Sequence, residues 1–157
     1  MLSQEQLNKI RETASEFFEK MTLPISSANV SLSSAAGGVD VVNLDAKSGE
    51  PQILIGQGGQ TLSEIQRLLK MILNKKLGKV FYFNLDINDY KKKKVEYLKN
   101  LAKELADQVS LTKQEKLLSP MPAYERRIIH SELSQRTDVI TESQGEGPDR
   151  HIVIRPK

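Results

Sequence analysis

The sequence predicts an α+β protein of two small domains. Two observations predict it: hydrophobic spacing that switches between helical and strand periods, and two distinct motifs in different halves of the chain. The order of elements reads helix, strand, strand, short helix, helix, strand over residues 1–87. A long helix, a second helix and a terminal β-hairpin follow over residues 88–157.

Each element has its own signal. Leu7, Ile10, Ala14, Phe17, Phe18 and Met21 recur three and four apart, and Ser3 with Gln6 has the form of a capping box. This predicts a helix from Ser3 to Met21, stopped by Pro24. Asn29 to Ser33, with Val30 and Leu32 inward, and Val39 to Asp45 read as strands joined by the turn Ala35-Ala36-Gly37-Gly38. Gln52 to Ile55 is about one helical turn. Thr61 to Lys75 is a strong helix burying Leu62, Ile65, Leu68, Leu69, Ile72 and Leu73, and Lys79 to Asp86 is a strand with Val80, Tyr82 and Phe83.

The second half begins with a long helix that Asp89 is expected to cap and that runs to about Leu111. Its stripe is Val95, Leu98, Leu101, Ala102, Leu105 and Val109. It opens with Lys91-Lys92-Lys93-Lys94, where cations oppose the helix dipole and a partner anion would relieve them. Ala123 to Gln135 is the next helix. Asp138 to Thr141 and His151 to Ile154 read as strands around the turn Gln144 to Asp149.

Composition narrows the function. The chain has no Cys and two His among 157 residues, which removes disulfides, thiolate chemistry and most zinc sites. That content fits a reducing compartment. No apolar run approaches the length of a bilayer span, and Met1 to Glu5 does not read as a signal peptide, so a cytoplasmic protein without direct membrane insertion is expected. Net charge is +3, but residues 1–50 carry four basic and seven acidic side chains while residues 51–157 carry 19 and 13. The basic portion suits a polyanion.

Gly56-Gln57-Gly58-Gly59 sits between two helical stretches. Glycines permit positive φ and close backbone approach, and a helix N-terminus offers unpaired N–H groups to phosphate. The P-loop needs a Lys that Gln60-Thr61 does not supply, and the dinucleotide fingerprint needs a glycine where Thr61 stands. A bare Gly-x-x-Gly is also an ordinary helix–helix turn. With this element order, however, it resembles the backbone clamp of type II KH domains, which holds about four single-stranded nucleotides. The resemblance implies nucleic-acid contacts at Gly56, Gln57, Gly58 and Gly59. Arg67 and Lys70 stand nearby for phosphates, and Ile53, Ile55, Leu62 and Ile65 are expected to line a groove for bases.

Arg126 and His130 are four apart and share a helix face. An Arg binds phosphate in a planar fork, and a neutral His donates or stacks. Alone, the pair reads equally as local packing. Preceded by Pro122-x-Tyr124-Glu125 and followed by a hairpin, it resembles the small domain family named for Arg-x-x-x-His, whose members bind single-stranded nucleic acid. The match carries onto Arg126 and His130, with Arg127 as a helper. His151 reads as structural, and Arg150, Arg155 and Lys157 extend a basic surface.

A type II KH-like unit followed by an Arg-x-x-x-His unit resembles the bacterial Jag family over about residues 5–155. Met121-Pro122-x-Tyr124-Glu125-Arg126-Arg127-Ile128-Ile129-His130 is the most distinctive run, and Thr141-Glu142-Ser143-x-Gly145-Glu146 and Arg150-His151-Ile152-Val153-Ile154 look like the family ending. Many members begin with an extra small domain and linker, neither of which is legible here. The resemblance implies a post-transcriptional or cell-envelope-linked regulator that binds single-stranded RNA, with single-stranded DNA as the second candidate. It also implies a small KH-domain protein partner, and a homodimer stands beside it. No cofactor motif, metal-carboxylate cluster or nucleophile–base pair is legible, so an enzyme is not expected. The rival reading is a protein–protein adaptor that docks partners at a sheet edge or on the Leu32–Leu44 hairpin without binding RNA.

Overall fold

The computed structural model describes residues 2–23, 25–35 and 38–157. The expected helix stop at Pro24 and the tip of the expected turn, Ala36-Gly37, lie outside them. The chain divides into two compact units, Met1–Lys91 and Lys92–Lys157. Among the described residues, no helix is long and apolar enough to cross a membrane.

In the first unit, α1 (Gln4–Lys20) starts where the sequence signals it: the Ser3 hydroxyl accepts the Gln6 N–H and the Gln6 side chain accepts the Ser3 N–H. β1 (Ser27–Ser34) pairs antiparallel with β2 (Asp40–Lys47), which pairs parallel with β3 (Tyr82–Ile87). A parallel pair needs a crossover, and α2 (Pro51–Ile55) with α3 (Gln60–Leu77) provides it. Side chains alternate along the strands, so the sheet is two-faced. Val30, Val42, Leu44, Ala46, Phe83, Leu85 and Ile87 join Ile10, Phe18, Leu54, Leu62, Leu69 and Leu73 in one core. The opposite face carries a polar relay: Lys91 Nζ donates to the Asn84 and Gln66 carbonyls, Asn84 to Asn43, and Asn43 to Ser33.

Some inward positions differ from expectation. Leu32 is exposed, because β1 is the edge strand and Leu32 sits near its hairpin end. Val39 and Val80 precede their strands and are exposed. Leu68 is also exposed, facing the groove between α1 and α3.

In the second unit, α4 (Tyr90–Thr112) and α5 (Ala123–Leu133) pack on a three-stranded sheet ordered β4-β6-β5. β5 (Val139–Gln144) and β6 (His151–Pro156) form the expected hairpin. β4 (Lys116–Leu117) adds a strand that the hairpin reading did not include. Leu98, Ala102, Ala106, Val109, Ile129, Leu133, Val139, Ile152 and Ile154 make the core. Arg136 grips Asp138 with two guanidinium nitrogens and Asp107 with a third, pinning the α5–β5 connection to α4. This holds the Asp138 carboxyl well below the usual carboxylate range.

The start of α4 departs from the expected cap. Asp89 has φ +56°, outside the extended region typical of an N-cap, and its carboxylate meets Lys47 Nζ at 2.6 Å. Asp86 accepts the Lys91 N–H at 3.1 Å. Lys91 is no free surface cation: burial lowers its pKa, and its ammonium is engaged in the relay.

Candidate nucleic-acid interface

The glycine loop is a single tight turn between α2 and α3. The Gly56 N–H closes α2 on the Gln52 carbonyl at 3.0 Å, and Gly59 precedes α3 in the left-handed region. Gly56, Gly58 and Gly59 have φ of +69°, +60° and +84°, conformations that L side chains rarely adopt. Their surroundings differ. A Cβ on Gly56 would run into Thr61, coming 2.7 Å from its Cβ, and one on Gly59 would lie 2.9 Å from the Tyr90 ring. A Cβ on Gly58 would meet nothing within 4 Å among the described residues. Gly56 and Gly59 are therefore required by the fold, while Gln57 and Gly58 form the exposed tip. Among the described residues, no side chain caps the first N–H groups of α3.

The other residues expected around this loop do not form one surface. Arg67 is exposed and lines a groove of about 430 Å³ between α1 and α3, with Phe17, Met21, Thr61, Leu68 and Met71. Lys70 instead sits 5.7 Å from the centroid of Tyr82 on β3. The residues expected to line a base groove differ in burial, and Ile65 borders the groove between α1 and α3. Leu62 and Ile65 belong to the core, and Ile55 packs against it, leaving Ile53 as the exposed apolar side chain of α2.

In the second unit, α5 presents Arg126, Arg127 and His130. Arg126 donates one N–H to the Met121 carbonyl at 2.6 Å, which orients the guanidinium and leaves other donors of its fork for a ligand. Arg127 is exposed. His130 is held at both ring nitrogens, Nδ1 2.7 Å from Thr141 Oγ1 and Nε2 2.8 Å from Ser143 Oγ. Burial first, and then the neighbouring Arg126 charge, hold its pKa below the ordinary imidazole value. His130 is thus neutral near pH 7, one ring nitrogen donating and the other accepting.

Thr141 and Ser143 were not among the expected site residues. Their signal in the sequence is alternation: Val139, Thr141 and Ser143 share one face of β5, where hydroxyls replace apolar side chains opposite His130. Arg155, expected to extend a basic surface, is engaged by Glu115 and Glu142, each at 2.8 Å. His151 Nδ1 lies 2.9 Å from the Asp149 carbonyl oxygen.

An α+β unit carrying Arg126 and His130 on one helix against a polar strand face defines the class: residues 96–156 match the family model of the Arg-x-x-x-His domain. Relatives extend the match beyond that domain. The RNA-binding protein KhpB of Clostridium symbiosum is 40% identical over 116 residues, 74% of this chain and 52% of the relative. KhpB of Bacillus subtilis (strain 168) is 43% identical over 107 residues, 67% and 51%. KhpB of Streptococcus pneumoniae R6 is 32% identical over 113 residues, 72% and 34%. Over the matched residues the chain is similar to this KhpB, or Jag, family. It spans about half the length of the first two relatives.

Proposed function

We propose that the chain binds single-stranded nucleic acid, RNA in the first place, and acts as a cytoplasmic binder and not as an enzyme. The observation that carries this reading is the α5–β5 site. Arg126 is oriented by a backbone carbonyl, and His130 is locked by two hydroxyls in a unit that matches the Arg-x-x-x-His domain model. A neutral His and a guanidinium whose fork retains donors suit a phosphodiester and its base better than a metal or a nucleophile. The names of the relatives, RNA-binding proteins, support the same reading.

The glycine loop is the second station of the proposal, in a KH-like first unit. The open tip at Gln57-Gly58 admits a phosphate close to the first N–H groups of α3, without a described side chain in the way. Two weak stations on one chain gain avidity through effective concentration. Arg67 and Lys70 then act as outlying cations. A small KH-domain protein and a second copy of the chain remain the protein partners we propose.

Fluorescence anisotropy with labelled single-stranded RNA at two salt concentrations tests this. Wild type is expected to bind with strong salt dependence. Arg126→Gln is expected to weaken binding and flatten the slope of log K against log salt by about 0.7, the value for one phosphate contact on a single strand. An unchanged slope and affinity would remove Arg126 from the site.

A further inference from the structure

We infer that Tyr97 and Tyr124 form a base-stacking platform beside the Arg126–His130 site, taking nucleobases of the same single strand; this rests on the nucleic-acid reading and extends it. Among the described residues, the exposed aromatic side chains are tyrosines. Phe18, Phe81 and Phe83 are buried, whereas Tyr82, Tyr97 and Tyr124 expose 56%, 58% and 52% of their surface. Both Tyr97 and Tyr124 belong to the second unit. Half-exposed rings beside cations are what sequence-tolerant single-strand binding uses, because every base has a π-face.

The two rings are organised about one ion pair. Lys94 Nζ lies 5.9 Å from the Tyr97 ring centroid and 3.6 Å from Glu125 Oε1. The Tyr124 hydroxyl donates to that same Oε1 at 3.0 Å. Glu125 is only 4% exposed, so it is a fixed anchor for the hydroxyl end of Tyr124. Ring positions set before binding reduce the ordering cost of stacking.

Helix geometry makes the platform continuous with the Arg126–His130 site. At about 100° per residue, the buried residues Glu125, Ile129 and Leu133 mark the inner side of α5. Arg126 and His130 then fall on one flank, Tyr124 on the other, and exposed Arg127 between them. On α4, exposed Lys93 lies one turn before Tyr97. A strand crossing this face meets Arg126, Arg127 and Tyr124 in turn, with Tyr97 beyond. Phosphates fall to the arginines and bases to the rings.

The test uses the full chain, an oligoadenylate of about 12 nucleotides, within the usual footprint, and an abasic strand of the same length. Tyr97→Ala with Tyr124→Ala is expected to weaken oligoadenylate binding at least about fivefold per ring. It leaves abasic binding and the salt slope unchanged, because no cation is lost. Tyr97→Phe with Tyr124→Phe keeps the rings and retains most of the affinity, losing only the ordering that the Tyr124 hydroxyl supplies. With four Tyr and no Trp, intrinsic emission reports on tyrosine directly. Oligoadenylate quenches it in wild type, and the double Phe variant loses that part of the signal. Equal oligoadenylate affinity in the Ala variant and wild type overturns the platform while the nucleic-acid reading stands. A Phe variant as weak as the Ala variant also overturns it, because the retained rings would then contribute nothing to binding. Wild type that binds neither strand at either salt overturns the nucleic-acid reading itself.

Discussion

Replacing Gly56 and Gly58 in turn by Ala separates what the loop needs to fold from what it needs to bind. Gly56 has φ +69° and ψ −174°, a region open essentially to glycine alone, with a backbone cost of about 1–3 kcal/mol for any other residue. Its new methyl would also strike Thr61, 2.7 Å from Cβ, and displacing a packed neighbour costs about another 1–3 kcal/mol. Gly58 has φ +60° and ψ 15°, the ordinary left-handed well, and nothing described lies within 4 Å of an added methyl. Gly58→Ala is therefore expected to cost only about 1–2 kcal/mol. The assay is native-state hydrogen exchange of the buried α3 amides at Leu69 and Leu73, whose slowest exchange reports the opening of the first unit. Gly58→Asp belongs to the same series: Asp tolerates the left-handed well, so it should fold like Gly58→Ala while its carboxylate repels phosphate. Equal stability losses for Gly56→Ala and Gly58→Ala would refute the steric account. Unimpaired RNA binding by a folded Gly58→Asp protein would remove the loop tip from the site.

Further predictions concern His130 and Lys91. Because folding lowers the His130 pKa, the unfolded chain binds its proton more tightly, and the second unit should lose stability as pH falls below the ordinary imidazole value. In Arg126→Gln, an NMR titration of the His130 ring should show the pKa rising while staying below that value, since burial, the larger cause, remains. Lys91→Met keeps the side-chain stem but drops the ammonium that joins Gln66 to Asn84, and should destabilise the first unit by about 1–2 kcal/mol in urea melts. Its RNA affinity should stay at the wild-type level, and a selective loss of affinity would return Lys91 to the list of contacts.

Most of the architecture was legible in the sequence because the signals are local. The capping box at Ser3-Gln6, the β-branched residues of β2 and the 3.6-residue stripe of α3 each specify an element from its own residues. β4 was not legible, since two residues carry no period and gain meaning only by pairing with β6. The cap of α4 misled for a related reason. Asp89 stands in the right place along the chain, but its positive φ turns it to Lys47, and Asp86 receives the Lys91 N–H instead.

The same division runs through the candidate site. Sequence alone determined the order of the helices and the longer strands, the glycine loop and the Arg126–His130 spacing, because turn chemistry and helical periodicity are properties of neighbouring residues. Only the tertiary structure decided that Gly58 is open while Gly56 is filled by Thr61, and that His130 rests on Thr141 and Ser143. It also took Lys91 out of the lysine run for an internal relay and buried Glu125 between Lys94 and Tyr124. Those outcomes depend on which residues distant in the chain become neighbours, and hydrogen bonding and burial act on that neighbourhood whatever the separation along the chain.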